Sequence, residues 1–259
     1  MGLQREIKRR ARKALKGRLP GAVALFLLWA LAWTAVDLGD RATFRLLELR
    51  LDWWTEEGTV RPAAFFATLA ALLARLVLLT PLRAGAVTWF DGLVNRRQRP
   101  LGTLFWPYGN RVWLRSLGVR LYAGAVTGAV ALLPLVALGG GLWLFRDRLA
   151  ALTPEGRALA AALLGTTAAG WLLAAWTYGK RFSVANYLLG PDHGCSAAEA
   201  IALSVRCTRG YRWRLVWMDL TFLPWLAACL LVLPALYAAP YYAACRVEYS
   251  RYLCRRRAG

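Results

Sequence analysis

LVWMDLTFLPWLAACLLVLPALYAAPYYAAC, residues 215–245, is an apolar block of 31 residues with a proline at position 234. As one span it would carry the chain across a membrane once. As two short helices, about 213–232 and 235–254, it would bring the chain back. Proline removes a backbone donor and clashes with the preceding turn, so Pro234 favours the break. Four other apolar blocks precede it, at 20–36, 62–82, 121–145 and 158–179. Each is near or above the ~17–25 residues that a helix needs to cross hydrocarbon. Inside a bilayer each backbone N–H and C=O must be paired within the protein, which makes these blocks helices. The expectation is an all-α fold: a polytopic α-helical membrane protein with about six membrane-embedded helices and added amphipathic interfacial helices.

Charge decides between five spans and six. Across the 259 residues there are 34 Lys and Arg against 14 Asp and Glu, a net charge of +20. With six spans and a cytoplasmic N-terminus, the inner segments 1–19, 83–120, 179–214 and 243–259 hold 26 basic residues. The outer segments 37–61 and 146–157 hold 7. Lys and Arg accumulate on the cytoplasmic side, and five spans would strand the arginine-rich tail outside. The expected location is therefore a cell membrane, with both termini cytoplasmic. No A-x-A cleavage pattern follows the first block, which reads as an uncleaved span. One membrane domain covers 1–259: a basic amphipathic helix over 1–19, a bundle over 20–245 and a basic tail over 246–259.

The opening REIKRRARKALKGR, residues 5–18, has eight basic residues and one acidic one. Leu3, Ile7, Ala11, Ala14 and Leu15 share one helical face, with Arg9, Arg10, Arg12 and Lys13 around the rest. Such a helix is expected to lie in the interface and to meet anionic lipid headgroups through those four cations. A nucleic-acid arm has no recognised fold or motif behind it, so no nucleic-acid partner is expected.

Local signals punctuate the chain. Thr153-Pro154-Glu155 reads as an N-cap with proline at the first helical position. Ser196 with Glu199 reads as a capping box, and Gly210 as a C-cap. Trp53 and Trp54 are placed at headgroup level in the outer loop. Gly124 with Gly128, and Gly165 with Ala169, give small-residue spacings that let helices approach.

Chemistry is sparse. His193, the single histidine, sits in LLGPDHGCS beside Asp192 and Cys195. No second cluster completes a metal site, so a Gly/Pro-rich turn is the better reading. The cysteines 195, 207, 229, 245 and 254 are odd in number and show no C-x-x-C. Cys254, beside three arginines, invites either lipidation or plain packing, and packing is preferred. No P-loop, dinucleotide fingerprint, H-E-x-x-H or G-x-S-x-G occurs. Neither cofactor nor metal is expected. Two charges inside apolar blocks stand out, Arg75 in LLARLVLL and Asp219 in LVWMDLTF. Ionisable groups at membrane depth face the protein interior or a wet cavity. Counted from the inner ends of their blocks, the two lie at similar depths, so they either pair across the bundle or find separate partners, Arg75 snorkelling to inner headgroups and Asp219 bonding nearby Tyr or Trp donors.

Four stretches resemble the domain of unknown function 975, a group of multi-pass bacterial membrane proteins. The opening contributes Ala11, Leu15, Lys16 and Gly17, and PLRAGAVTWF contributes Pro81 and Gly85, followed by Arg96 and Phe105. SAAEAIALSVRCTRGYRWRLVWMDLTFLPW is the strongest, with Ala200, Ile201, Ser204, Gly210, Leu215, Leu220, Thr221, Phe222 and Trp225. Pro240-Tyr241 with Tyr249 and Leu253 closes it. WTYGKRF keeps Trp176 and Gly179 but lacks the family's proline. The resemblance implies a bacterial inner-membrane protein and supplies no activity. The functional expectation is a non-enzymatic transporter or permease-like component, the alternative a scaffold or a partner subunit in a larger membrane complex.

Overall fold

A computed structural model describes residues 2–46, 62–109, 112–151, 153–228 and 232–258. Trp53, Trp54 and Cys229 lie outside the described residues. Helices dominate, and no strand occurs among the described residues. In chain order the α-helices are α1 (Gly2–Leu15), α2 (Leu19–Leu46), α3 (Pro62–Val94), α4 (Trp106–Gly109), α5 (Val112–Leu144) and α6 (Arg146–Ala150). They continue as α7 (Pro154–Gly179), α8 (Ala185–Leu188), α9 (Ala197–Cys207), α10 (Arg212–Leu220), α11 (Leu223–Ala228) and α12 (Val232–Ala258). Short 3-10 turns at Leu101–Phe105 and Lys180–Phe182 precede α4 and follow α7.

Among the described residues, four helical segments are long and apolar enough to cross a membrane: α2, α3, α5, and α7 with its continuation to Leu188. That is fewer than the six the apolar blocks suggest. The block at 215–245 accounts for the difference. α10 and α11 part at the Thr221–Phe222 turn, and the chain folds back between α11 and α12, which brings the Trp225 ring within 6.2 Å of that of Tyr237. α10, at 9 residues, is too short to span.

The four long helices form two antiparallel hairpins. In the first, Gly21 of α2 faces the Trp89 ring of α3, and Asp37 of α2 meets Arg75 of α3. In the second, Gly179 at the end of α7 faces Thr127 of α5, and Trp171 Nε1 donates to the Val130 carbonyl at 2.8 Å. Gly124, Gly128 and Gly165 have open space where a Cβ would stand, so the small-residue spacings there do not mark a contact.

Burial divides the molecule into two halves. In the apolar windows of the long helices at most 11% of residues are buried. The packed core lies at one end of them. It joins Ile7, Ala11 and Leu15 of α1 to Leu82, Trp89 and Phe90 of α3, Val119 of α5, Val184, Leu188, Ala200 and Leu215, and Ala244, Tyr249 and Leu253 of α12. Gly85 permits one of its tightest approaches: a Cβ there would stand 2.1 Å from the Leu104 carbonyl oxygen.

The amphipathic reading of α1 is right in its periodicity and wrong in what covers its apolar face. Ile7, Ala11 and Leu15 are buried against protein, with α12 and α3 as neighbours. Tyr241 Oη donates to the Lys8 carbonyl at 3.4 Å, and Lys8 Nζ donates to Thr221 Oγ1 at 2.8 Å. Gly17, with φ +83°, lets the chain leave α1 in a left-handed turn that a side chain would strain.

Candidate functional site

The sequence marks Arg75 and Asp219, and the structure puts them in separate ion-pair groups. Arg75 bonds Asp40 through Nε and Asp37 Oδ1 through Nη2 at 2.7 Å, and Arg41 also reaches Asp37 at 2.8 Å. The Arg75–Asp219 pair is therefore corrected. Depth had been counted from Leu82, but α3 runs on through 12 more residues to Val94, about 18 Å of helix. Arg75 lies 14 residues above Trp89, and Asp37 lies 16 above Gly21, so the α2–α3 hairpin brings these two level.

Asp219 anchors the other group. It sits at the end of α10 and is buried, 8% exposed. The Lys180 ammonium bonds its Oδ2. Tyr242 Oη donates to its Oδ1 at 2.9 Å, and Arg246 Nη1 reaches the two oxygens at 3.3 and 3.4 Å. Lys180, equally buried, also lies over the Trp176 ring at 4.8 Å. Three elements converge here: the turn after α7, the end of α10 and the middle of α12. One carboxylate thus takes three donors, as a buried carboxylate requires.

More positive charge surrounds this knot. Arg83 of α3 lies within electrostatic reach of Arg120 of α5 and Arg246 of α12. Lys180 feels Arg246 and Arg83 in turn. These partners were legible only as loop charges: Lys180, Arg83 and Arg120 stand at block ends, and Arg246 in the tail.

The remaining sequence candidates resolve as structure. Asp192 accepts from Arg97 and Arg99, each at 3.0 Å, and the His193 ring lies 4.9 Å from that of Tyr187. The PDHGC turn is a latch between two loops, and no metal-ligand group forms among the described residues. Thr153 Oγ1 accepts from the Gly156 N–H at 3.2 Å, as expected of an N-cap. The Ser196–Glu199 capping box has both of its bonds, at 2.9 and 3.3 Å. Burial beside Cys207 pushes the Cys254 thiol up from its ordinary value. On α1, Arg10 pairs with Glu6 and reaches Glu248 at 3.5 Å, and Arg12 lies 5.8 Å from the centre of the Tyr241 ring. Arg9 and Lys13 are exposed.

Fold and site together define an all-α protein with four helices fit to cross a membrane and a charged knot at their common end. Residues 160–257 match the model of a family described as Protein of unknown function (DUF975). The match includes Lys180, Asp219, Tyr242 and Arg246, and it supports the resemblance carried by the stretch from Ser196 to Trp225 and by Pro240-Tyr241. Neither a curated protein nor a solved structure gives a significant match.

Proposed function

We propose that this chain is a non-enzymatic, multi-pass protein of a bacterial inner membrane. It acts as a scaffold or partner subunit, with its packed half and both termini in the cytoplasm. The observation that carries this reading is the bareness of the long helices. Their apolar windows bury between 0 and 11% of residues, and Leu132, Leu133, Val136 and Leu163 are all more than half exposed. Such faces want lipid or another chain. Two shallow hollows of about 280 and 320 Å³ lie on the packed half, beside Arg251 and beside Gly17. Transport by a single copy would call for a polar passage between the long helices, and the polar group among them, Arg75 with Asp37 and Asp40, is already self-paired. The basic face, including Arg9, Arg12 and Lys13, suits an anionic inner leaflet.

Native mass spectrometry of the tagged chain, released from its host membranes in mild detergent, tests the proposal. The expected result is a defined complex heavier than one copy. A monomer alone, together with solute uptake by that monomer in proteoliposomes, would return the permease-like reading to first place.

A further inference from the structure

We infer that Arg83, Arg120 and Arg246, with Lys180 behind them, form a binding site for an anionic phosphate ester, the headgroup phosphate of an anionic lipid. The charge count comes first. Asp219 already serves Lys180, Tyr242 and Arg246, and Arg83 lies within electrostatic reach of Lys180, Arg246 and Arg120. Among the described residues neither Arg83 nor Arg120 forms an ion pair, and Arg83 feels the like charges of Arg120 and Arg246. Guanidinium groups gathered in this way repel, the more so next to a low-dielectric medium. An anion between them reverses that sign, and arginine forks match phosphate oxygens two at a time.

Position supplies the second observation. Each long helix here changes environment at its basic residue. On α3, Leu72, Leu73 and Leu78 are exposed, whereas Leu82 and Ala84 on either side of Arg83 are buried. On α5, Val119 is buried, Arg120 is exposed, and Leu121 and Tyr122 are each 50% exposed. On the third, Trp176 is partly exposed, and Phe182 and Val184 beyond Lys180 are buried. This is the level at which bare apolar helix enters packed protein. Trp176, Trp213, Trp217 and Tyr122, all exposed, stand around it, and aromatic rings gather at the headgroup level of membrane proteins. Phosphate groups of a bilayer occupy that level.

The inference rests on the membrane reading of the long helices, which is checked first by whether the chain stays with carbonate-washed membranes. A chain that washes off defeats that reading by itself. The site is then tested on delipidated protein in a neutral detergent. Thermal unfolding is followed against added dioleoyl phosphatidylglycerol, dioleoyl phosphatidylcholine, or sodium phosphate at matched ionic strength. Phosphatidylglycerol is expected to raise the midpoint by several degrees, and phosphatidylcholine to leave it nearly unchanged. Arg83→Gln with Arg120→Gln should weaken the phosphatidylglycerol response about tenfold, whereas Arg148→Gln with Arg157→Gln, exposed at the opposite end of the long helices, should keep it. Without added anion the Arg83/Arg120 variant should melt no lower than the parent, since it relieves repulsion, and this separates lost binding from lost folding. An equal shift with inorganic phosphate would assign the site to a soluble phosphate instead of a lipid. If the double variant keeps the full lipid response, or if no anion shifts the parent, the inference is overturned.

Discussion

At the residue scale the informative side chain is Asp219, because three elements depend on its charge. Removing the carboxylate strands Lys180, which is buried, and frees Arg246 and Tyr242. Breaking a buried ion pair from one side costs about 3–5 kcal/mol, since the other charge stays buried and uncompensated. Asp219→Leu should therefore lower the unfolding midpoint sharply, and Lys180→Met should do so less, because Arg246 and Tyr242 still hold the carboxylate. The double variant should recover part of the first loss. Strictly additive losses in thermal unfolding would show that the two side chains do not act as a pair. That Asp219 and Arg75 are costly charges needing partners was legible from their apolar surroundings. Which partners they take was not. Asp37 lies at a block end, where a sequence gives no reason to prefer it over solvent. The hairpin geometry that brings it beside Arg75 depends on α3 continuing past Leu82, and a falling apolar content there concealed a helix buried by protein instead of lipid.

At the element scale, α3 is seated by a missing side chain. Gly85 lets the Leu101–Phe105 turn approach until the Leu104 carbonyl occupies the place of a Cβ, and the obstructing atoms are backbone. Gly85→Ala must separate the two elements. Overpacking typically costs 1–3 kcal/mol, and this case, with backbone on the far side, should reach about 3 kcal/mol or more by the same measure. Gly102→Ala in the facing turn meets nothing within 4 Å and serves as the control, with an unfolding midpoint close to the parent's. The start of α9 carries a pH dependence with a definite sign. Bonds from the Ser196 backbone and side chain hold the Glu199 carboxyl below its ordinary range. A lowered folded value means that the box contributes above the unfolded carboxyl pKa, about 4.3, and that its contribution is lost as pH falls through the folded value. The stability gap between the parent and Ser196→Ala/Glu199→Gln should thus be constant near neutrality and narrow below about pH 4, where the bond to the Glu199 carboxylate is lost and the bond to Ser196 Oγ remains. A gap unchanged at pH 3 would refute it. Caps of this kind were readable because their partners lie three residues apart.

At the scale of the whole molecule, the count of spans and the side of the termini separate. The basic-residue tally that favoured six spans over five in fact senses only parity, because any even number of crossings returns the tail to the side of the opening. Four crossings satisfy it as well as six. Contact between α1 and α12, through Tyr241 with Lys8 and Arg10 with Glu248, independently keeps the two ends together. What the tally could not see is that α10, α11 and the head of α12 form a short turn-back, with the Trp225 ring 6.2 Å from that of Tyr237. In a membrane, α2 and α5 would leave the packed half and α3 and α7 would return to it. Residues near the α5–α6 junction then lie on the far side from those of α1 and of the loop after α3. Single cysteines at Lys13, Gln98 and Arg148, all exposed positions, make this measurable in a background without native cysteines. In intact cells a membrane-impermeant maleimide should label Arg148→Cys, and should label Lys13→Cys and Gln98→Cys only after permeabilisation. Labelling of position 148 together with position 13 would place the α5–α7 hairpin outside the spanning layer and leave α2 and α3 as the crossing pair. Labelling of 13 and 98 alone would keep the four-span fold and invert it, with the basic half facing outward.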